Sequence, residues 1–158
     1  MDRASRTTTA DHDIIIRPLQ SGDEAGWREL YMGYAAFYQV EMNDAILKTT
    51  WSWLMNAGHP LEGLVASQAA QPIGLAHFRA QPKPLLGENA GFLDDLFVRP
   101  ESRGAGAGKL LIGAIAAIAR RRGWSTVRWI TAEDNVAARR LYDQVANVTS
   151  WLTYELRP

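Results

Sequence analysis

The 158-residue chain contains no cysteine, which excludes disulfides, thiolate metal sites and a cysteine nucleophile. Only three histidines occur, His12, His59 and His77, scattered without metal-ligand spacing. No uninterrupted apolar run approaches the ~20 residues of a membrane span, and no signal-like apolar segment opens the chain. A cytoplasmic protein with no metal and no membrane association is the expectation. Internal repeats and composition-biased linkers are also missing. A single domain is therefore expected over 13–158, after a loose polar tail over 1–12, "MDRASRTTTADH".

An overall excess of either charge is lacking too, with 17 basic and 17 acidic side chains. The distribution is uneven, however. From Asp11 to Asp95 there are 11 acidic and 5 basic residues, a net of −6; from Arg99 to Arg140 there are 9 basic and 3 acidic, a net of +6. A solvated surface accounts for such charges, but a chain divided this way can also hold an anionic ligand on one half and a cationic one on the other. Arg120–Arg122, Arg128, Arg139 and Arg140 do not make the stacking platform of a nucleic-acid groove, so no nucleic-acid partner is expected.

Periodicity divides what is present into alternating elements. "DIIIRPL" reads as a strand, with Ile14, Ile15 and Ile16 β-branched. Trp27, Leu30, Tyr31, Tyr34, Phe37 and Tyr38 recur at spacings of three and four and predict an amphipathic helix over Asp23–Val40. A second helix is expected over Asp44–Ala57, stopped by "GHP". "LEGLVASQAAQPIGLAHFRAQ" predicts two strands around an Ala70–Gln71–Pro72 turn, and "FLDDLFV" a further one. A helix from about Gly108 to Arg122 follows, with Arg120–Arg122 at its negative end and Gly123 as its stop. "STVRWIT", a helix "EDNVAARRLYDQV" capped by Asp134 or Asn135, and a final strand "TSWLTYEL" complete a mixed α/β order, β-α-α-β-β-β-α-β-α-β.

The stretch "RPESRGAGAGKLLIG" carries the strongest chemical signal. Gly104, Gly106 and Gly108 alternate just before an apolar helix, where glycine costs about 0.5–1 kcal/mol relative to alanine. It is either a flexible turn or an anion cradle, because free N–H groups at a helix start attract phosphate. A P-loop needs glycine at Arg103 and a hydroxyl at Leu110; a dinucleotide fingerprint needs glycine at Lys109. Neither pattern is met. What remains is strand, Arg-x-x-Gly-x-Gly, helix.

That remainder resembles the pyrophosphate-binding segment of the GCN5-related N-acetyltransferase (GNAT) superfamily. The resemblance spans Ile14 to Leu156 and is most specific in "LDDLFVRPESRGAGAGKLL" and "ITAEDNVAARRLY". The wording is closest to diamine or polyamine and histone-tail acetyltransferases. One departure is "VANVTSW", where the family usually carries a glycine–aromatic pair. The resemblance implies acetyl-CoA as co-substrate, held by Arg103, Gly104, Ala105, Gly106, Ala107, Gly108 and Lys109. It implies that Leu96, Phe97 and Val98 pair with the pantetheine arm through their backbone, beside a backbone N–H that polarises the thioester carbonyl. Asn135 and Ala138 would contact the arm. It also implies a homodimer, since related folds pair through C-terminal strands, for which "TSWLTYEL" is the candidate edge.

Asn135 and Tyr142 lie seven residues apart, two helical turns, and so share a face. Helical side chains lean toward the N-terminus, which lets the Tyr142 hydroxyl reach back toward the sulfur. Tyrosine, with a pKa of about 10, stays protonated and can donate to a departing thiolate, so Tyr142 is the candidate acid; otherwise it is a core residue. The attacking amine, with a pKa of about 10.4, must lose a proton first. In "LDDLFV" the two carboxylates alternate, which predicts one facing the cleft and one facing away. The diamine acetyltransferases carry their base glutamate at the position of Asp94, making Asp94 the candidate base; alternatively Asp94 or Asp95 pairs with an arginine or caps a loop. Tyr38, Glu41 and Asp95 are candidates for the acceptor wall. The expected activity is transfer of an acetyl group from acetyl-CoA to a primary amine, of a polyamine, a small amino compound or a lysine side chain, by direct attack of that amine on the thioester. The alternative is a non-catalytic acetyl-CoA-binding sensor.

Overall fold

A computed structural model of the chain describes residues 13–158; the expected tail, residues 1–12, lies outside them. Strand β1 (Ile15–Pro18) leads into helices α1 (Glu24–Phe37) and α2 (Asp44–Met55). Strands β2 (Glu62–Gln68), β3 (Gln71–Lys83) and β4 (Glu88–Val98) form a meander, followed by α3 (Ala107–Arg122), the short β5 (Val127–Arg128) and α4 (Val136–Val145). The five strands make one sheet in sequence order, antiparallel from β1 to β4 and parallel between β4 and β5.

Each face of the sheet is covered by the helices whose apolar periodicity matches it. On one face Trp27 and Leu30 of α1 and Leu47 and Trp51 of α2 pack on Leu75 and Phe97. On the other, Leu111, Ile112 and Ile115 of α3 pack on Leu64, Ile73, Ala76, Phe78 and Leu93. Trp27 and Leu30 are each 1% exposed, and burial of such a side chain is worth roughly 1.5–3 kcal/mol.

The β2–β3 turn is tighter than expected and shifted by one residue. Gln68 pairs with Gln71 across Ala69–Ala70, whose φ angles are +48° and +60°. A two-residue hairpin turn matches the strand twist only with both central residues left-handed, and here two alanines accept that geometry.

The other departures lie at the C-terminal side. "STVRWIT" forms a strand only over Val127–Arg128, paired with Gly91–Phe92. The expected final strand over 149–156 does not form, and Trp151, Leu152, Tyr154 and Leu156 are exposed. A strand needs a neighbouring edge, and the segment before α4 offers only two paired residues. The consequence for function is an opening: β4 keeps its β3 partners as far as Gly74↔Val98, while its other edge has no strand partner among the described residues after Phe92. Alternate backbone N–H and C=O groups of 93–98 therefore face a cleft instead of a strand.

Candidate active site

The cleft is floored by the end of β4 and closed at one end by the glycine turn. Gly104 and Gly106 have φ of +86° and +89°, and a Cβ on either would meet nothing within 4 Å. Both are required by backbone conformation. Gly108 is different: it sits inside α3, and its Cβ would lie 3.0 Å from the Leu141 side chain, so this glycine lets α3 and α4 approach. Gly106 is the N-cap of α3, and the first helical bond runs from Leu110 N–H to its carbonyl, 3.0 Å. The N–H groups of Ala107, Gly108 and Lys109 thus have no partner within the helix, at the positive end of its dipole.

These elements enclose a cavity of about 470 Å³. Of the residues singled out in sequence, Leu96, Phe97, Val98, Arg103, Gly104, Gly106, Ala107, Gly108, Lys109, Asn135, Ala138, Tyr142 and Tyr38 line it. Ala105, Glu41, Asp94 and Asp95 do not. Arg103 folds back, its Nε donating to the Val98 carbonyl at 3.1 Å with the guanidinium over the Phe37 ring. Asn135 caps α4, accepting from Ala138 N–H at 3.4 Å and donating to the Tyr38 hydroxyl at 3.3 Å. Tyr142 packs edge-on against Trp129. Burial, followed by the nearby Tyr38, pushes its hydroxyl up to about 12, so it holds its proton throughout the physiological range.

The two carboxylates do not face opposite ways. His77 pairs with Asp95 and Phe78 with Leu93, leaving Asp94 as the extra residue of a β-bulge. Alternation breaks there, and both side chains reach residues on one face of β3: Asp95 contacts His77 at 2.8 Å, and Asp94 accepts from Arg79 Nε at 3.0 and 3.1 Å. The expectation that one carboxylate faces away is corrected by this bulge. Trp27 Nε1 donates to His77 Nε2 at 2.9 Å, so that nitrogen presents its lone pair and the ring proton sits on Nδ1, donated to Asp95. Tyr31 donates its hydroxyl to Asp95 at 3.3 Å. Burial alone would raise Asp95, but the hydrogen bond from His77, joined by those from Tyr34 and Tyr31, holds it below the ordinary carboxylate range. Asp94 is raised, because burial outweighs its ion pair with Arg79. Asp95 is a fixed acceptor beneath α1, and Asp94 is held by Arg79.

Residues 25–146 match the profile of the Acetyltransferase (GNAT) family. The chain belongs to that family. It is 27% identical over 144 residues to D-amino-acid N-acetyltransferase HPA3 of Saccharomyces cerevisiae, covering 90% of this chain and 89% of that one. A ribosomal-protein-alanine N-acetyltransferase from Brucella melitensis biovar Abortus superposes with TM-score 0.79 at 27% identity, over 92% of this chain and 99% of the other. The aminoglycoside N-acetyltransferase AAC(6')-Iy in complex with CoA has the same fold, with TM-score 0.78 at 20% identity over 92% and 95% of the two chains.

As a GNAT member the protein is an acetyltransferase, with the mixed α/β fold expected from its sequence. No helix among the described residues is long and apolar enough to cross a membrane. Sequence reasoning missed several lining residues, among them Tyr34, Ser102 and Leu141. Tyr34 was within reach of it, since it precedes Tyr38 by four positions on one helix face. The Trp27–His77–Asp95 chain was not, because its members are joined only by strand pairing and a helix crossing.

Proposed function

We propose that this acetyltransferase takes its acetyl group from acetyl-CoA and delivers it to the primary amine of a small molecule by direct attack. The observation that carries the reading is the continuity of the cleft: left-handed glycines and a helix N-terminus at one end, the unpaired edge of β4 along its floor, and Tyr142 within reach. Anionic phosphates fit the first part, because free N–H groups and the helix dipole attract negative charge there. The open β4 edge suits the amide groups of a pantetheine arm, which can complete the missing strand pairing.

The neutral amine nitrogen attacks the thioester carbonyl; an N–C bond forms and the C–S bond breaks. Unpaired N–H groups on the β4 edge stabilise the developing oxyanion. The first proton leaves the ammonium before attack and passes through water to Asp94 or to solvent; the departing thiolate takes a proton from Tyr142, which is restored by the second proton that the attacking nitrogen sheds as it becomes an amide. Acetyl-thioester and ammonium thus become amide, thiol and one released proton. The chain has no cysteine to carry an acyl-thioester intermediate, which also favours direct attack.

Gly106→Val tests the donor site. Valine is strained at φ +89°, and its side chain would occupy the space left open in front of the helix start. Calorimetric titration with CoA is expected to show binding to the wild type and a loss of about tenfold or more in the variant. Equal affinities would rule out the glycine turn as the phosphate cradle.

A further inference from the structure

The end of α1 and the start of α4 meet in the wall of the cavity through one side-chain contact. The Tyr38 hydroxyl accepts from Asn135 Nδ2 at 3.3 Å, although the two residues are 97 positions apart, and both line the cavity. Burial does not account for the placement of the Tyr38 ring, which is 39% exposed. Its position is set by the way α1 ends. Gln39 N–H donates to Ala36 O at 3.1 Å and Val40 N–H to Ala35 O at 2.9 Å, the paired bonds that close a helix around a left-handed residue. That residue is Gln39, at φ +54°, where glycine is usual. The strain falls on the residue next to Tyr38, and strain of this kind accompanies the placing of functional groups. The Tyr38 ring is also held edge-on to Tyr34 at 5.0 Å and to Phe37 at 5.1 Å.

The Asn135 amide is engaged at both ends. Its Oδ1 accepts from Ala138 N–H, which identifies the other atom as the nitrogen. Nδ2 carries two hydrogens: one goes to Tyr38, and the second has no partner among the described residues. Two fixed contacts set the plane of the amide, and with it the direction of the remaining N–H. We infer that Tyr38 is a positioning residue for the donor, its hydroxyl turning the Asn135 amide so that the remaining N–H can donate to a carbonyl of the pantetheine arm. The inference rests on the acetyl-CoA reading above and gives Tyr38 no part in the chemistry. Its contribution is preorganisation, because an amide already held in place loses less freedom when its ligand binds.

The test is a double-mutant cycle on the purified full chain, with calorimetric titration of CoA and thermal unfolding without it. The four proteins are the wild type, Tyr38→Phe, Asn135→Ser and the double variant. Phenylalanine keeps the ring and its packing and removes only the hydroxyl. Serine keeps an oxygen to cap α4 but has no amide to orient. Tyr38→Phe is expected to weaken CoA binding by about two- to tenfold. Its melting midpoint is expected to stay within about 1 °C of the wild type. In the Asn135→Ser background the same change should alter CoA affinity by less than about twofold, because the group that Tyr38 turns is gone. Equal or tighter CoA binding by Tyr38→Phe overturns the inference while leaving the glycine cradle in place. An equal loss in both backgrounds also overturns it, since the hydroxyl would then act without Asn135. A lowered midpoint with unchanged affinity makes the contact purely structural and overturns it too. No CoA binding by the wild type overturns the acetyl-CoA reading and this assignment with it.

Discussion

Asp95 does structural work that its neighbour Asp94 does not, although the two are adjacent in sequence and on one face of the sheet. Its carboxylate accepts from His77 and Tyr31 at the centre of the α1 face. Because its folded pKa lies below the unfolded one, its contribution to stability is present above the unfolded value near 3.9 and is lost as pH falls through the folded value. Asp95→Asn is therefore expected to lose about 1–3 kcal/mol at pH 7, with the difference from wild type shrinking at pH 3. Urea denaturation at the two pH values checks this. A difference that stays constant with pH would mean that the charge of Asp95 contributes nothing. Neither the roles nor the shared face of the two carboxylates were legible in "LDDLFV", because strict alternation hides a bulge that only the register with β3 reveals.

At the level of elements, most of the chain follows from local pattern. The three- and four-residue spacing in α1 and the arginine-rich end of α3 with Gly123 behind it were read from sequence within a few residues. So was the glycine turn, apart from the separate reason for Gly108, which depends on Leu141 in another helix. The β2–β3 turn was misplaced by one residue because Ala69–Ala70 lacks the glycine or asparagine that marks left-handed turns. That mismatch is open to improvement. Ala70 is exposed with φ +60°, so Ala70→Gly should remove strain and stabilise the fold by about 0.5–1 kcal/mol, raising the melting midpoint by roughly 1–4 °C. A lower midpoint would show that the alanine methyl contributes something the turn geometry does not reveal. The short β5 and the unformed final strand mark the other limit of local pattern: apolar β-branched and aromatic residues announce a strand, but pairing needs a partner edge.

For the whole molecule, that unpaired segment bears on assembly. Trp151, Leu152, Tyr154 and Leu156 are 77–88% exposed, an unusual density of large apolar side chains for a surface. Pairing between the C-terminal segments of two chains would cover them. Light scattering at micromolar concentration is expected to give about 35 kDa, twice the 17.6 kDa of one chain, and a mass of one chain would contradict the expectation. The central claim concerns chemistry in the cleft, where we propose that Tyr142 gives its proton to the departing thiolate. Tyr142→Phe removes one hydroxyl and almost no volume, so folding and CoA affinity should persist. The most direct measurement is thiol release from acetyl-CoA by wild type and Tyr142→Phe with the preferred small amine at saturating donor. A fall in kcat of roughly 10²–10⁴-fold with unchanged CoA affinity is the result the account predicts; turnover by Tyr142→Phe at the wild-type rate would contradict it.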